Sequence, residues 1–368
     1  MKIAIQKNAR CGIALIIVML VILVLATLAG EFARLMKVET TLARNANNES
    51  ELEWLGRSGV ELARYVIAEQ AKIPGEGNYE SLNQKWAGGT GGMGTTNSPL
   101  ASISLENNQL GAGTFSVKIT DLERKFNINM ANQAVFQQAM IVLMGMDASL
   151  FPPISDSILD WIDKDEDNHL SGAESDYYMG LDPAPYMAKN GPMDDISELL
   201  LVKGISENPE IYWGSASTNY SVSAFQTRDS NRPFDDPRRP SYPVGLVDIF
   251  TTLSNGKINL NTASVTTLQM IPGVDESIAS GIIQLRAGLD GADGTEDDTP
   301  LSRADDLGNV PGLTPIMARE ISRYCGVRST TFEVQVDVLL GNQTRQYYAV
   351  IRRGNRPGEF AILKFYWK

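Results

Sequence analysis

Residues 12–30 read GIALIIVMLVILVLATLAG. Thr27 is the one polar side chain inside that run, and every residue from Ile13 to Ala29 can face hydrocarbon. At about 1.5 Å rise per residue the segment makes a helix roughly 27 Å long, close to the ~30 Å apolar core of a bilayer. It can therefore span a membrane. Ahead of it, MKIAIQKNARC carries Lys2, Lys7 and Arg10 and no acidic residue. The positive-inside rule holds this end in the cytoplasm and sends the bulk of the chain across.

A removable secretory signal needs a shorter apolar core and an A-x-A-like site. Here the run continues through Leu28-Ala29-Gly30 into Glu31, Phe32 and Ala33. A lipoprotein signal places its cysteine after the apolar run, whereas Cys11 precedes it. Positive charge, then Gly12, then an apolar helix resembles a type IV prepilin leader, cut between Gly12 and Ile13. The resemblance lies in Gly12-Ile13-Ala14-Leu15-Ile16-Ile17, with one departure: most pilins carry Glu at the fifth mature position, where this chain has Ile17. A plain signal anchor is the other reading this stretch leaves open.

Of 368 residues, 21% are charged and 43% hydrophobic, an ordinary globular composition that implies one large domain or a few small ones. The net charge is −12, and without the +3 of the leader it is −15. Such a surface repels phosphate backbones and attracts divalent cations, so no nucleic-acid partner is expected. Loss of Cys11 with the leader would leave Cys325 alone, so no intramolecular disulfide can form. Cys325, in ISRYCGV, reads as a small buried apolar residue.

Beyond Gly30, Phe32, Leu35, Val38, Leu42, Leu52, Leu55, Val60, Leu62, Val66 and Ile67 recur at helical spacing until Pro74-Gly75. They predict one helix of about 60 residues, apolar first and then amphipathic. The alternative is an anchor followed by a separate helix, broken at Asn45-Ala46-Asn47-Asn48. The stripe Leu42, Leu52, Leu55 and Leu62 is wider than a small sheet needs to cover, which marks it as a partner-binding surface. A Gly-rich loop over 75–99 gives way to alternating Ile103, Leu105, Phe115, Val117 and Ile119, a hairpin turning at Asn107-Asn108. The signal returns in Phe332, Val334, Val336 and Val338, a turn at Gly341-Asn342, then Tyr347, Ala349 and Ile351, and a last strand over 359–367.

The fold class is therefore α+β: a pilin-like long N-terminal helix packed on an antiparallel sheet, with a large inserted α-helical domain. The expected divisions are leader 1–12, helix 13–74, loop and first strands 75–121, inserted domain 122–328 and C-terminal strands 329–368. The inserted domain contains a repeat. Lys125-Phe126-Asn127-Ile128-Asn129 matches Lys257-Ile258-Asn259-Leu260-Asn261, and Val202-Lys203-Gly204-Ile205 parallels Val310-Pro311-Gly312-Leu313. Two helix-hairpin-helix-like subdomains, 122–205 and 257–328, joined by a connecting segment 206–256, follow from this.

Leu268 to Val274, with Ile278, Ala279, Ile282, Ile283 and Arg286, resembles a helix-hairpin-helix. In DNA-binding versions the turn offers backbone N–H groups to phosphate, but here Asp275 and Glu276 stand in that place. Residues 163–174, DKDEDNHLSGAE, fit the ligand positions of an EF-hand-type loop. Asp163, Asp165, Asp167, the His169 carbonyl, Ser171 and Glu174 fall at positions 1, 3, 5, 7, 9 and 12, with Leu170 as the apolar plug. Asn168 replaces the usual Gly, and Asn tolerates positive φ. A solvated acidic loop is the alternative. Asp290, Asp293, Glu296, Asp297 and Asp298 make a second candidate metal cluster with no fixed ligand spacing. His169 is the single histidine, so triad chemistry and zinc find little support and no enzyme is read.

In order along the chain, the leader without glutamate, the long helix, the repeat-bearing insertion, DWIDKDEDNHLSGAESDYY and KINLNTAS resemble general secretion pathway protein K of type II secretion. The resemblance implies a minor pseudopilin, cleaved and N-methylated by prepilin peptidase. It implies a single pass through the inner membrane with the bulk of the chain periplasmic. It further implies a place at the pseudopilus tip with minor pseudopilins I and J, in support of export across the outer membrane. Ca2+ in the α domain is also implied, at Asp163, Asp165, Asp167 and Glu174. The rival readings are a membrane-anchored helix-hairpin-helix DNA receptor, another anchored calcium-binding interaction protein, and an anchored metal enzyme.

Overall fold

The computed structural model describes residues 11–89, 99–214, 242–354, 356 and 358–368. The leader ahead of Cys11, part of the expected Gly-rich loop and the middle of the expected connecting segment lie outside the described residues. Two compact units are formed, Met1–Leu55 and Gly56–Lys368. The dividing line falls inside the expected helix, and the second unit holds the strands and the inserted region together.

Helix α1 runs Cys11–Gln70, with no break at Asn45–Asn48. Thr27, Thr40 and Thr41 return their hydroxyls to carbonyls three or four residues back, so these polar positions leave the helix intact. One helix of the described chain, near its N-terminus, is long and apolar enough to cross a membrane. Gly75, at φ 88, follows its end, and Pro74 could not continue it. The stripe expected to stay uncovered is corrected here. Leu52 and Leu55 are each only 2% exposed, and Leu62 is half-buried. Leu42 alone of the four stays open, at 62%.

In the second unit the C-terminal part of α1 buries Val60, Ala63, Val66 and Ile67. Among the described residues the sheet has five strands: β1 (Asn108–Leu110), β2 (Gly113–Asp121), β7 (Thr331–Leu340), β8 (Gln343–Arg353) and β9 (Phe360–Trp367), adjacent in that order and antiparallel throughout. Val117 and Ile119 of β2 and Val334 and Val336 of β7 are buried by alternation, whereas β8, a central strand, buries every residue from Tyr347 to Ile351. Two helix glycines permit close approach. A Cβ at Gly59 would stand 2.4 Å from Val336 Cγ1, and one at Gly56 2.5 Å from Tyr347 Cδ2. The first hairpin turns at Gly111-Ala112, since Leu110 pairs with Gly113. Asn107-Asn108 was the expected turn, but Gly111 takes the positive φ that a two-residue turn demands.

The sheet is interrupted between β2 and β7 by a helix-and-loop region whose core extends from Phe126 to Val327. A duplication is visible in its hydrogen bonds. Strand β3 (Phe126–Asn127) pairs in parallel with β4 (Phe250–Thr251), and β5 (Ile258–Asn259) with β6 (Cys325–Gly326). Asn129 exchanges bonds with the backbone of Met193, as Asn261 does with Leu301. Gly204 and Gly312 follow at φ 84 and 89.

This pairing corrects the expected connecting segment. Helices α5 (Glu210–Trp213) and α6 (Leu246–Ile249), with β4, belong to the first repeat and bury Ile211, Tyr212, Leu246, Ile249 and Phe250 in the core. These short apolar stretches flank the Ser- and Pro-rich run, whose composition hides them.

Polar groups lock the insertion to the sheet. Asp121 Oδ2 accepts from Thr262 at 2.5 Å, Ser329 at 2.6 Å and Asn259 at 3.1 Å. Burial, with Asp121 beside it, pushes the Glu123 carboxyl up to about 8.

Candidate cation site

Helix α3 (Phe151–Ile162) begins with Pro152-Pro153 in its first turn, where missing N–H groups cost nothing. It buries Ile154, Ile158 and Trp161. Asp156 and Asp160 are one turn apart on it and both are buried. The loop 163–174 follows, and Glu174 stands immediately before α4 (Ser175–Met179).

Two carboxylate-bearing groups converge here, sharing Asp163: Asp160, Asp163 and His169, and Asp163, Asp165 and Glu174. In each, the potential ligand atoms lie within 4.8 Å of one another. Glu174 is 2% exposed, yet neither of its carboxylate oxygens has a hydrogen-bond partner. Asp160 Oδ2 and Asp163 Oδ1 are buried and unpartnered as well. Four orphaned acceptors facing one another are unfavourable without a cation. Burial, then the charges of Asp160 and Asp163, pushes Glu174 up to about 7. Asp163 is raised chiefly by burial, with Asp165 and Asp160 adding. His169 is raised by its ring contact with Asp160. Gly172 is required for closure, since a Cβ there would lie 1.8 Å from Asp160 Oδ2.

Of the expected ligands, Asp163, Asp165 and Glu174 come together. Asp167 is exposed and outside both groups, its N–H donating to Asp165 Oδ1 at 3.0 Å. The His169 carbonyl accepts from Gly172 N, and it is the ring that meets Asp160. Ser171 is held through its N–H by Asp156 Oδ2 at 3.1 Å. Leu170 is no plug: it is fully exposed, at 101%. Asp160 was missed because it precedes the loop, although the spacing Asp156, Asp160, Asp163 places all three along one helical face.

The second acidic cluster is neutralised differently. The buried Arg286, at the end of α8 (Glu276–Arg286), grips Asp293 through Nε at 2.8 Å and Nη2 at 2.6 Å. Asp297 accepts from the N–H groups of Leu289 and Asp290, Asp298 from that of Gly294, and Asp290 from that of Ala292. A guanidinium and backbone N–H groups do the work expected of an ion. At the helix-hairpin-helix, α7 (Val265–Leu268) turns through Gly273, at φ 87, into α8. Asp275 Oδ1 accepts from Ile278 N at 2.8 Å, so a carboxylate occupies the helix N-terminus that a phosphate would need.

The Type II secretion system (T2SS), protein K family model matches residues 118–210, and a helix-hairpin-helix motif matches 254–291. A type II secretion system protein K from Pseudomonas aeruginosa is 24% identical over 97% of this chain and 93% of its own length. One from Klebsiella pneumoniae is 28% identical over 54% of this chain and 60% of its own. The crystal structure of the GspK-GspI-GspJ complex from enterotoxigenic Escherichia coli matches with a TM-score of 0.60 at 19% identity, covering 89% of this chain and 99% of that one. A long N-terminal helix packed on an antiparallel sheet, interrupted by a helical insertion, defines a pilin-like subunit with a candidate single membrane anchor. The chain is thus similar, along nearly its whole length, to protein K of the type II secretion system.

Proposed function

We propose that the protein stands at the tip of the type II pseudopilus, bound to minor pseudopilins of the I and J kind, and supports export of folded proteins across the outer membrane. The observation that carries this is the size and position of the insertion, placed between β2 and β7. A domain that bulky obstructs a subunit stacked over it, which suits the topmost place. Ile17 agrees, because a chain without Glu there offers no carboxylate to a neighbour's N-terminal ammonium inside lipid. The helix anchors the protein in the inner membrane with the remainder periplasmic, after prepilin peptidase cuts between Gly12 and Ile13. The cation is Ca2+, because the Asp163, Asp165 and Glu174 group offers oxygen alone and hard cations take oxygen.

The test is co-purification of the membrane-extracted protein with its two partners, followed by intact-mass measurement. A heteromer containing a chain that begins at Ile13 is expected. A chain beginning at Met1 and isolated without partners would overturn the reading.

A further inference from the structure

Asn190 is held at φ 47, a conformation that non-glycine residues seldom adopt. Its Nδ2 donates to the Asp165 carbonyl at 3.0 Å and to Glu166 Oε1 at 2.8 Å, both in the cation loop. Those two acceptors fix the amide's orientation, and its Oδ1 is left buried without a partner. The segment beginning here also touches the last turn of α3, where Gly191 N donates to the Trp161 carbonyl at 3.4 Å.

From this point a continuous set of polar contacts leads to the sheet. Lys189 Nζ donates to Asp194 Oδ2 at 2.7 Å and to Glu198 Oε1 at 2.8 Å. That same Glu198 oxygen accepts from the N–H groups of Asp194 and Asp195, while Glu198 Oε2 accepts from Trp161 Nε1. Asp195 Oδ2 then accepts from Lys364 Nζ at 2.9 Å, on edge strand β9. The edge needs such support. Strand β9 carries a bulge at Leu363 where the register slips, and Ile362, Leu363 and Trp367 are exposed along it.

We propose that Asn190 is a positioning residue that ties the cation loop to the edge strand, so that a bound Ca2+ seats β9 against the 189–195 segment. The proposal rests on the Ca2+ reading above. Ca2+ draws the Asp163, Asp165 and Glu174 oxygens inward and fixes the Asp165 carbonyl and Glu166 that Asn190 grips. The strained φ is then held by contacts on both sides, and Asp195 keeps its place beneath Lys364. The cation loop and the edge strand would thereby be coupled through Asn190.

Hydrogen exchange of the full chain in detergent, with CaCl2 or with chelator, tests this. Ca2+ should slow exchange in 163–174, in 187–198 and in 360–367 of the wild type. Asn190→Gly keeps the positive φ and removes the amide. It should retain the Ca2+ response in 163–174 and lose it in 360–367. Lys364→Gln, which leaves the loop untouched, should likewise lose the response in 360–367 alone. A Ca2+ response in 360–367 that survives Asn190→Gly, or one confined to 163–174 in the wild type, overturns the coupling and leaves the cation reading standing. No response in 163–174 overturns the cation reading and the coupling with it.

Discussion

Glu174 makes the clearest case at the scale of single residues. With no cation present its carboxyl is pushed up to about 7, against an unfolded value of 4.5. A carboxyl raised in the folded state contributes stability that is present at low pH and lost as pH rises through the folded value. The chelated protein should therefore lose stability between about pH 4.5 and about pH 7, while the Ca2+-loaded protein should not. At a hundredfold excess over Kd, Ca2+ should add about 2.7 kcal/mol. Melting curves with and without chelator should separate more widely as pH rises, and Glu174→Gln should close most of that gap. A gap that narrows with pH would contradict this account. Gly172→Ala gives a second test, because its Cβ meets Asp160 Oδ2. Terbium luminescence should report weakened binding in that variant, while the far-UV spectrum stays as in the wild type. The loop carboxylates were legible because their spacing repeats a known ligand pattern. Asp160 was not, since it lies on a helix that reads as apolar, and Leu170 shows that a motif position does not determine burial.

At the scale of elements, helix α1 is seated on the sheet through glycines, which inverts an ordinary rule. Gly→Ala inside a helix usually stabilises by about 1 kcal/mol. At Gly59 the added methyl would stand 2.4 Å from Val336, and overpacking of that kind costs about 1–3 kcal/mol. The clash should win, so Gly59→Ala should lower the melting temperature, whereas Gly30→Ala, with open space around it, should not. An unchanged melting temperature for Gly59→Ala would mean that helix and sheet can separate without cost. The long strands were legible because burial on one face enforces period two, as in Phe332, Val334, Val336 and Val338. Strands β3, β4, β5 and β6, of two residues each, carry no period to read. The duplication they close was detected through Asn-Ile-Asn and Asn-Leu-Asn, whose amides make the equivalent bonds, but its first half was cut short before α5, α6 and β4.

For the whole molecule, the order of features carried the resemblance to protein K, while burial revises where partners can bind. Leu52 and Leu55 were expected to be an uncovered seam, because helical spacing shows that a stripe exists and is silent on what covers it. Both are only 2% exposed in the single chain. A Glu at either place would bury an unpaired charge, at a cost of about 3–5 kcal/mol, and so would destabilise the subunit whether or not it had partners. Exposed apolar positions on the same helix are the better probe: Leu42 is 62% exposed and Tyr65 is 46% exposed. Neighbouring N-terminal helices would pack against such positions at a shallow angle, as in helical bundles. Leu42→Glu and Tyr65→Glu, made together in the full chain, should leave the melting temperature and the Ca2+ response unchanged. They should abolish co-purification with the two proposed partner pseudopilins. Leu52→Glu should lower the melting temperature even when the partners are absent. Co-purification retained by the Leu42→Glu, Tyr65→Glu variant would place the contact away from this helix. An unchanged melting temperature for Leu52→Glu would show that its burial contributes nothing to the subunit.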